Sequence, residues 1–402
     1  MASNRPSTLL LRVDGFGLQD CLATGPGSAI LGSLLFSALF PAPMSVKFLL
    51  RVAGTLLLAW AAAAACVALH TPLPWMLGPL VATSVLSMAG APTESWGPLR
   101  NGGQWAIGAA LGLYFTPEVS ALVGSLWWAI VLGIGWALLL GWGFGAWLYR
   151  LHAPRMHGVP ASMLRSTSYF AGAIGAASEM TLLSERENAR TDLVAASHSL
   201  RLLIVTITIP FALQWSGLQG LDILIPTVRD VSWPGLALLA LLTGAGALVM
   251  DRLGRANPWF MGAMLVSMAV TMAGLHLSAV PQAVVNAAQL VIGVSLGVRF
   301  RAEFLHTAPR WLASVAVGTF GLMGICAAFA AVLAWATGLP WVTLLLGTSP
   351  GGITEMAITA KVLQLGVPVV TAFQVCRLIA VLMLVGPMFR RIYPPTEGGS
   401  AI

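Results

Sequence analysis

The chain has 402 residues, 57% of them hydrophobic and only 9% charged, with a mean hydropathy of +0.85. That leaves too little polar surface to coat a water-soluble globule, so the composition defines an integral membrane protein. The formal net charge of +7 does not make a nucleic-acid binder, because the arginines are scattered and Lys47 and Lys361 are the only lysines.

In chain order, residues 1–45 come first: a polar start, Gly25-Pro26-Gly27, an apolar run from Ser28 to Phe40 and then Pro41-Ala42-Pro43. The run is too short to span a membrane. Met44 to Lys47 leads directly into a longer apolar segment, so residues 1–45 read as a disordered extension or a misassigned start. Six apolar segments follow, near 48–69, 72–90, 102–115, 121–148, 166–183 and 193–213, and six more near 234–250, 258–274, 286–298, 311–336, 341–360 and 367–389.

The second six repeat the first. Pro74-Trp75-Met76-Leu77-Gly78 returns as Pro258-Trp259-Phe260-Met261-Gly262, and Gln104 with Ile107-Gly108 and Leu111-Gly112 returns as Gln289 with Ile292-Gly293 and Leu296-Gly297. Gly175 to Glu179-Met180 returns as Gly351 to Glu355-Met356, with Arg201 and Arg377 following at equal spacing. Blocks matched in one order mark a duplication. Repeat 1 covers 46–215, a linker 216–232, repeat 2 covers 233–392, and the tail is 393–402.

The fifth segment of each repeat is broken by Gly, Pro and hydroxyl residues around its glutamate, which predicts a re-entrant or broken helix. Charge asymmetry supports this. If all twelve segments cross, seven basic loop residues lie inside and eight outside. If the two broken segments return to their own side, Arg186, Arg190, Arg252, Arg255, Arg299, Arg301 and Arg310 join Lys47, Arg100, Arg150, Arg155, Arg390 and Arg391 inside. Only Arg229 and Lys361 then remain outside, thirteen against two. The expected fold is therefore an all-α polytopic membrane protein. It has two inverted repeats of five crossings, each with one re-entrant or broken helix, and both termini cytoplasmic in the bacterial inner membrane.

Glu179 and Glu355 carry the chemistry. A carboxylate inside a membrane segment costs several kcal/mol unless it is paired, protonated or wet. Two readings stand: a substrate or coupling-ion site, with Arg201 and Arg377 alongside, or internal ion pairs of Glu179 with Arg201 and Glu355 with Arg377. Ser349, Gly351 and Gly352 form the cleaner break, since Pro350 ends a helix and paired glycines admit close approach. Ser178 and Thr354 precede the glutamates. His198 and its counterpart Gln374 share a helix face with the arginines. Gln104 and Gln289 open short glycine-rich helices as solute contacts or interhelical hydrogen bonds. The tryptophans after Pro74 and Pro258 read as interfacial anchors.

These duplicated blocks resemble the AbrB duplication family of bacterial membrane proteins, over about 46–392. The family carries the labels of an AbrB-type transcriptional regulator and of an ammonia monooxygenase, and it resembles the cation-proton antiporter and anion transporter superfamily. The resemblance implies a core domain that moves like an elevator and carries the two broken elements. An enzyme is not expected, for no metal or flavin motif is legible. An effect on gene expression through transport or sensing is the alternative to transport itself. The expected cofactors are none beyond H+ or Na+ as coupling ion. The expected partners are membrane lipid and a small, anionic metabolite, with no nucleic acid, and assembly as a homo-oligomer is left open.

Overall fold

The structure, a computed structural model, describes residues 45–156, 158–216, 230–300 and 308–394. Nearly all of the expected extension, most of the linker and most of the tail lie outside the described residues, as do Arg229 and Arg301. The chain divides into two units, Met1–Leu50 and Arg51–Ile402. The described part of the first unit is the opening turn of the first helix, and the second unit holds the rest of the fold.

Among the described residues there are fifteen helices and no strand. The first half holds α1 (Val46–Ala68), α2 (Pro74–Met88), α3 (Gly97–Gly112), α4 (Pro117–Ser125), α5 (Trp127–His152), α6 (Ala161–Gly172), α7 (Ala177–Arg186) and α8 (Thr191–Ser216). The second holds α9 (Trp233–Arg252), α10 (Pro258–Met272), α11 (Gln282–Gly297), α12 (Pro309–Thr337), α13 (Trp341–Thr348), α14 (Ile353–Val362) and α15 (Val367–Ile392).

Six of these, α1, α5, α8, α9, α12 and α15, are long and apolar enough to cross a membrane, and α3 with α4, bent by 90°, makes a seventh if taken as one span. Ten crossings were expected from sequence; six or seven helices among the described residues have spanning length. Helices α2 and α10 have 15 residues and α11 has 16, which at 1.5 Å per residue gives about 22–24 Å against a hydrocarbon core of about 30 Å. Their ends are set by local chemistry. Pro74 and Pro258 occupy the first helical position after left-handed Leu73 and Asn257, and left-handed Gly90 and Gly274 follow the other end. The segment expected at 121–148 is two helices, because Thr116 caps a separate α4 at Pro117 by accepting from the Val119 N–H, and Leu126, at φ −89° and ψ 11°, interrupts the helix before α5.

The duplication extends to backbone torsions. His70, Leu73, Gly90 and Asn188 have positive φ, and so do their counterparts Gly254, Asn257, Gly274 and Gln364. Packing is also reciprocal. A Cβ on Gly112 would lie 2.6 Å from the Met264 carbonyl oxygen of α10, and one on Gly297 would lie 2.8 Å from the matching Leu80 oxygen of α2. Gly293 meets the Met76 oxygen in the same way, at 2.5 Å, as Gly108 meets that of Phe260. Each repeat's glycine-rich helix therefore lies in van der Waals contact with the other repeat's Pro-Trp helix, which only the absence of side chains permits.

Both fifth segments are broken. Between α6 and α7 and between α13 and α14 the backbone turns extended, at Ala173 and Ala176 and at Ser349 and Gly352. Glycines let the first break sit close to α5: a Cβ on Gly141 would lie 3.1 Å from the Ala173 Cα. At the second, the Cys326 thiol of α12 donates to the Thr348 carbonyl.

Candidate functional site: a charged cavity between two helix breaks

Each break leaves a half-helix C-terminus with carbonyls that need donors. An arginine from the following long helix supplies them. Arg201 donates to the Ala171 and Gly172 carbonyls at 3.2 Å and to Ala173 at 2.7 Å. Arg377 donates to the carbonyls of Ser349 and, at 2.8 Å, of Gly351. A cation at a helix C-terminus also complements the helix dipole.

A neighbour one turn earlier steadies each guanidinium. Arg201 donates to His198 Nδ1 at 2.7 Å, so the ring proton sits on Nε2, which donates to the Phe170 carbonyl at 2.9 Å. In the second copy Arg377 donates to Gln374 Oε1 at 2.6 Å, and Gln374 Nε2 donates to the Leu346 carbonyl at 2.7 Å. Phe170 and Leu346 are counterparts, so the amide does the work of the imidazole.

The ion pairs considered from sequence do not form. Among the described residues the salt bridges join Arg51 with Glu94, Arg190 with Asp192 and Arg390 with Glu187, and neither Arg201 nor Arg377 has a carboxylate within 4.0 Å. Both arginines are spent on backbone carbonyls, and Glu179 and Glu355 lie on the far side of the breaks, in the first turns of α7 and α14. An acidic residue there complements the positive helix end.

The two glutamates differ. Glu355 is 6% exposed and folds back over Gly352, where a Cβ would collide with its Oε2. The counterpart of Gly352 is Ala176, which carries that Cβ. Glu179 is only half-buried, and it accepts a 2.7 Å hydrogen bond from the exposed Ser178 hydroxyl.

Both breaks face one cavity of about 370 Å³. Ser178, Glu179, His198 and Arg201 line it from the first copy, Gly351, Gly352, Thr354, Glu355 and Arg377 from the second, and Gln104 from α3. Ser349 and Gln374 stand behind the break and bond to backbone, and Gln289 is buried away from the cavity. Gln104 and Gln289 lie in the middle of α3 and α11 rather than opening them, because Pro98 and Pro281 set those helix starts further upstream. Of the two tryptophans, Trp259 lines the cavity, and Trp75 packs against the cluster of Ala59, Leu290 and Val294.

Sequence reasoning assigned Arg100, Arg255 and Arg299 to topology alone and gave Asn101 and Asp251 no role, yet all five line the cavity. A signal was present: Arg100 lies one turn before Gln104 on the same face, and Arg255 and Arg299 directly adjoin two of the duplicated blocks. In all, five arginines and three carboxylates face this space, an excess of positive charge.

The fold and site together define an all-helical polytopic protein with six or seven helices of membrane-spanning length and a charged cavity between two broken segments. Residues 75–393 match the family described as Transition state regulatory protein AbrB, and the chain belongs to that family. It is 26% identical over 332 residues to "Putative regulator AbrB" of Escherichia coli (strain K12), covering 81% of this chain and 91% of that protein. It is 25% identical over 355 residues to "Uncharacterized protein YhjN" of Bacillus subtilis (strain 168), covering 79% of this chain and 87% of that one. No solved structure matches the chain.

Proposed function

We propose that this protein is an ion-coupled secondary transporter of a small, anionic metabolite across the bacterial inner membrane. The observation that carries the reading is the single cavity bounded by both helix breaks, with one carboxylate at each. The N-caps Ala176 and Gly352 provide no side-chain oxygen to the first turns of α7 and α14, so backbone N–H groups and positive helix ends face the solute space. Ionised Glu179 and Glu355 compete with a solute anion for those ends. H+ or Na+ bound to the carboxylates removes the competition, which couples ion binding to solute binding. On this reading no covalent chemistry occurs and no cofactor is needed.

An inverted arrangement, with ten crossings and cytoplasmic termini, fits the contacts between helix ends. His152 at the end of α5 meets Ser314 at the start of its counterpart α12, with Nε2 to Oγ at 3.1 Å. Arg390 at the end of α15 donates to Glu187, just before α8 begins, at 2.8 Å. These end-to-start contacts support the reading that counterpart helices run in opposite directions, as inversion requires. The cavity then opens on the side of Arg100, Arg255 and Arg299, the side that the charge bias makes cytoplasmic.

The test is uptake of labelled organic anions into proteoliposomes under an imposed H+ or Na+ gradient. Saturable, gradient-dependent accumulation supports transport. Saturable binding without flux supports instead a membrane-embedded sensor, the second reading, which the regulator name of the Escherichia coli relative favours.

A further inference from the structure

Resting on the reading of the cavity as a solute site, we infer that Arg100 and Arg299 together hold a small dianion, a dicarboxylate or an inorganic oxyanion, and select it over singly charged and neutral solutes. Arg100 comes from the first turn of α3 and Arg299 from just beyond the end of α11, and both line the same cavity, close enough for the Arg100 charge to act on Arg299. They are not repeat counterparts, so the pair breaks the symmetry that Arg201 and Arg377 keep.

The cavity's other buried arginines, Arg201 and Arg377, commit their terminal nitrogens to the carbonyls of the breaks and to His198 and Gln374, which leaves, of their nitrogens, only Arg377 Nε buried without a partner among the described residues. Arg100 is placed differently. Its terminal nitrogen reaches only the Asn101 side-chain oxygen, at 3.4 Å, and its buried Nε has no partner among the described residues. Neither Arg100 nor Arg299 has a carboxylate within 4.0 Å among the described residues. Burial and the neighbouring Arg100 guanidinium push Arg299 down from the ordinary arginine range, while Glu355 and Glu179 pull it back.

Two like charges lining one cavity repel, and a single carboxylate neutralises only one of them. A solute with two negative charges neutralises both, and the planar fork of each guanidinium suits a pair of anionic oxygens. The cavity volume of about 370 Å³ is that of a small-molecule pocket.

The test measures equilibrium binding of succinate, inorganic phosphate and acetate to the purified full-length protein at fixed ionic strength. Succinate or phosphate is expected to bind at least about tenfold more tightly than acetate, and Arg100→Gln or Arg299→Gln to weaken that binding about tenfold each. Arg299→Lys keeps the charge without the fork and is expected to fall between. Arg390→Gln, at the exposed ion pair with Glu187, is expected to bind as the parent does. Acetate binding as tightly as the dianions, no binding of any of the three, or unchanged dianion binding in monodisperse Arg100→Gln and Arg299→Gln overturns the inference. Dianion binding without flux defeats the transporter reading and leaves this one standing. Gradient-dependent flux of a singly charged organic anion that both variants retain does the reverse.

Discussion

Replacing Gly352 with alanine is expected to turn Glu355 out into the cavity without unfolding the protein. A Cβ at this position would lie 3.0 Å from Glu355 Cδ and closer still to Oε2. Ordinary contact requires about 3.5–4 Å, so the carboxylate must recede by roughly 1 Å. The backbone does not object, since φ −77° and ψ 153° are torsions that alanine adopts freely. A Gly→Ala change of that kind gains about 0.4–1 kcal/mol through the unfolded chain. The small shift of Leu202, whose Cδ1 would be 3.2 Å away, offsets part of that. Stability should therefore stay within about 1 kcal/mol of the parent. The assay is labelling with a water-soluble carbodiimide, read by peptide mass spectrometry with Glu179 as internal reference. In the parent, half-buried Glu179 should label well ahead of Glu355, and Gly352→Ala should raise Glu355 labelling about tenfold, the equivalent of roughly 1.4 kcal/mol of recovered solvation. Ala176→Gly should move Glu179 the opposite way. Parent Glu355 labelling faster than Glu179, or no change in a folded Gly352→Ala protein, refutes the reasoning.

Three further substitutions test the scaffold. Arg377→Met strands the Ser349 and Gly351 carbonyls and should destabilise the protein by about 3–5 kcal/mol; because Glu355 is not its partner, adding Glu355→Gln should recover none of this in a thermal-unfolding cycle. His198→Gln should be tolerated within about 1 kcal/mol, because Gln374 makes the matching bonds, whereas His198→Leu should cost about 1–3 kcal/mol by leaving the Phe170 carbonyl unpaired. Gly112→Ala presses on the Met264 carbonyl and should cost about 1–3 kcal/mol, while Gly102→Ala on the same helix meets open space and should be neutral or stabilising.

The helical class, the duplication and the positions of both breaks were legible because each rests on local chemistry: long apolar runs, ordered motif blocks, and Gly, Pro and hydroxyl residues around a membrane carboxylate. The short length of α2 and α10 was less visible. It comes from left-handed residues at each end, and a left-handed Leu73 leaves no mark in composition. Of the two readings of Arg201 and Arg377, solute contact or ion pair, the ion pair is not formed, and a third role, holding the carbonyls of the breaks, was not legible. Spacing along the chain relates each arginine to its glutamate, whereas the carbonyls it satisfies lie 26–30 residues back. Arg100, Arg255 and Arg299 were hidden for a further reason: a basic residue near a helix end is a topology signal in any membrane sequence, and only the folded packing brings them to one cavity.

The central claim is that a carboxylate at a helix break couples an ion to solute movement, and gradient-driven flux in proteoliposomes tests it most directly. Glu355→Gln keeps the side chain's shape while removing its charge. The account predicts that this variant, folded and still able to bind solute, loses accumulation driven by the H+ or Na+ gradient, and loses more than Glu179→Gln does. Parent-level, gradient-dependent flux in both variants would contradict it.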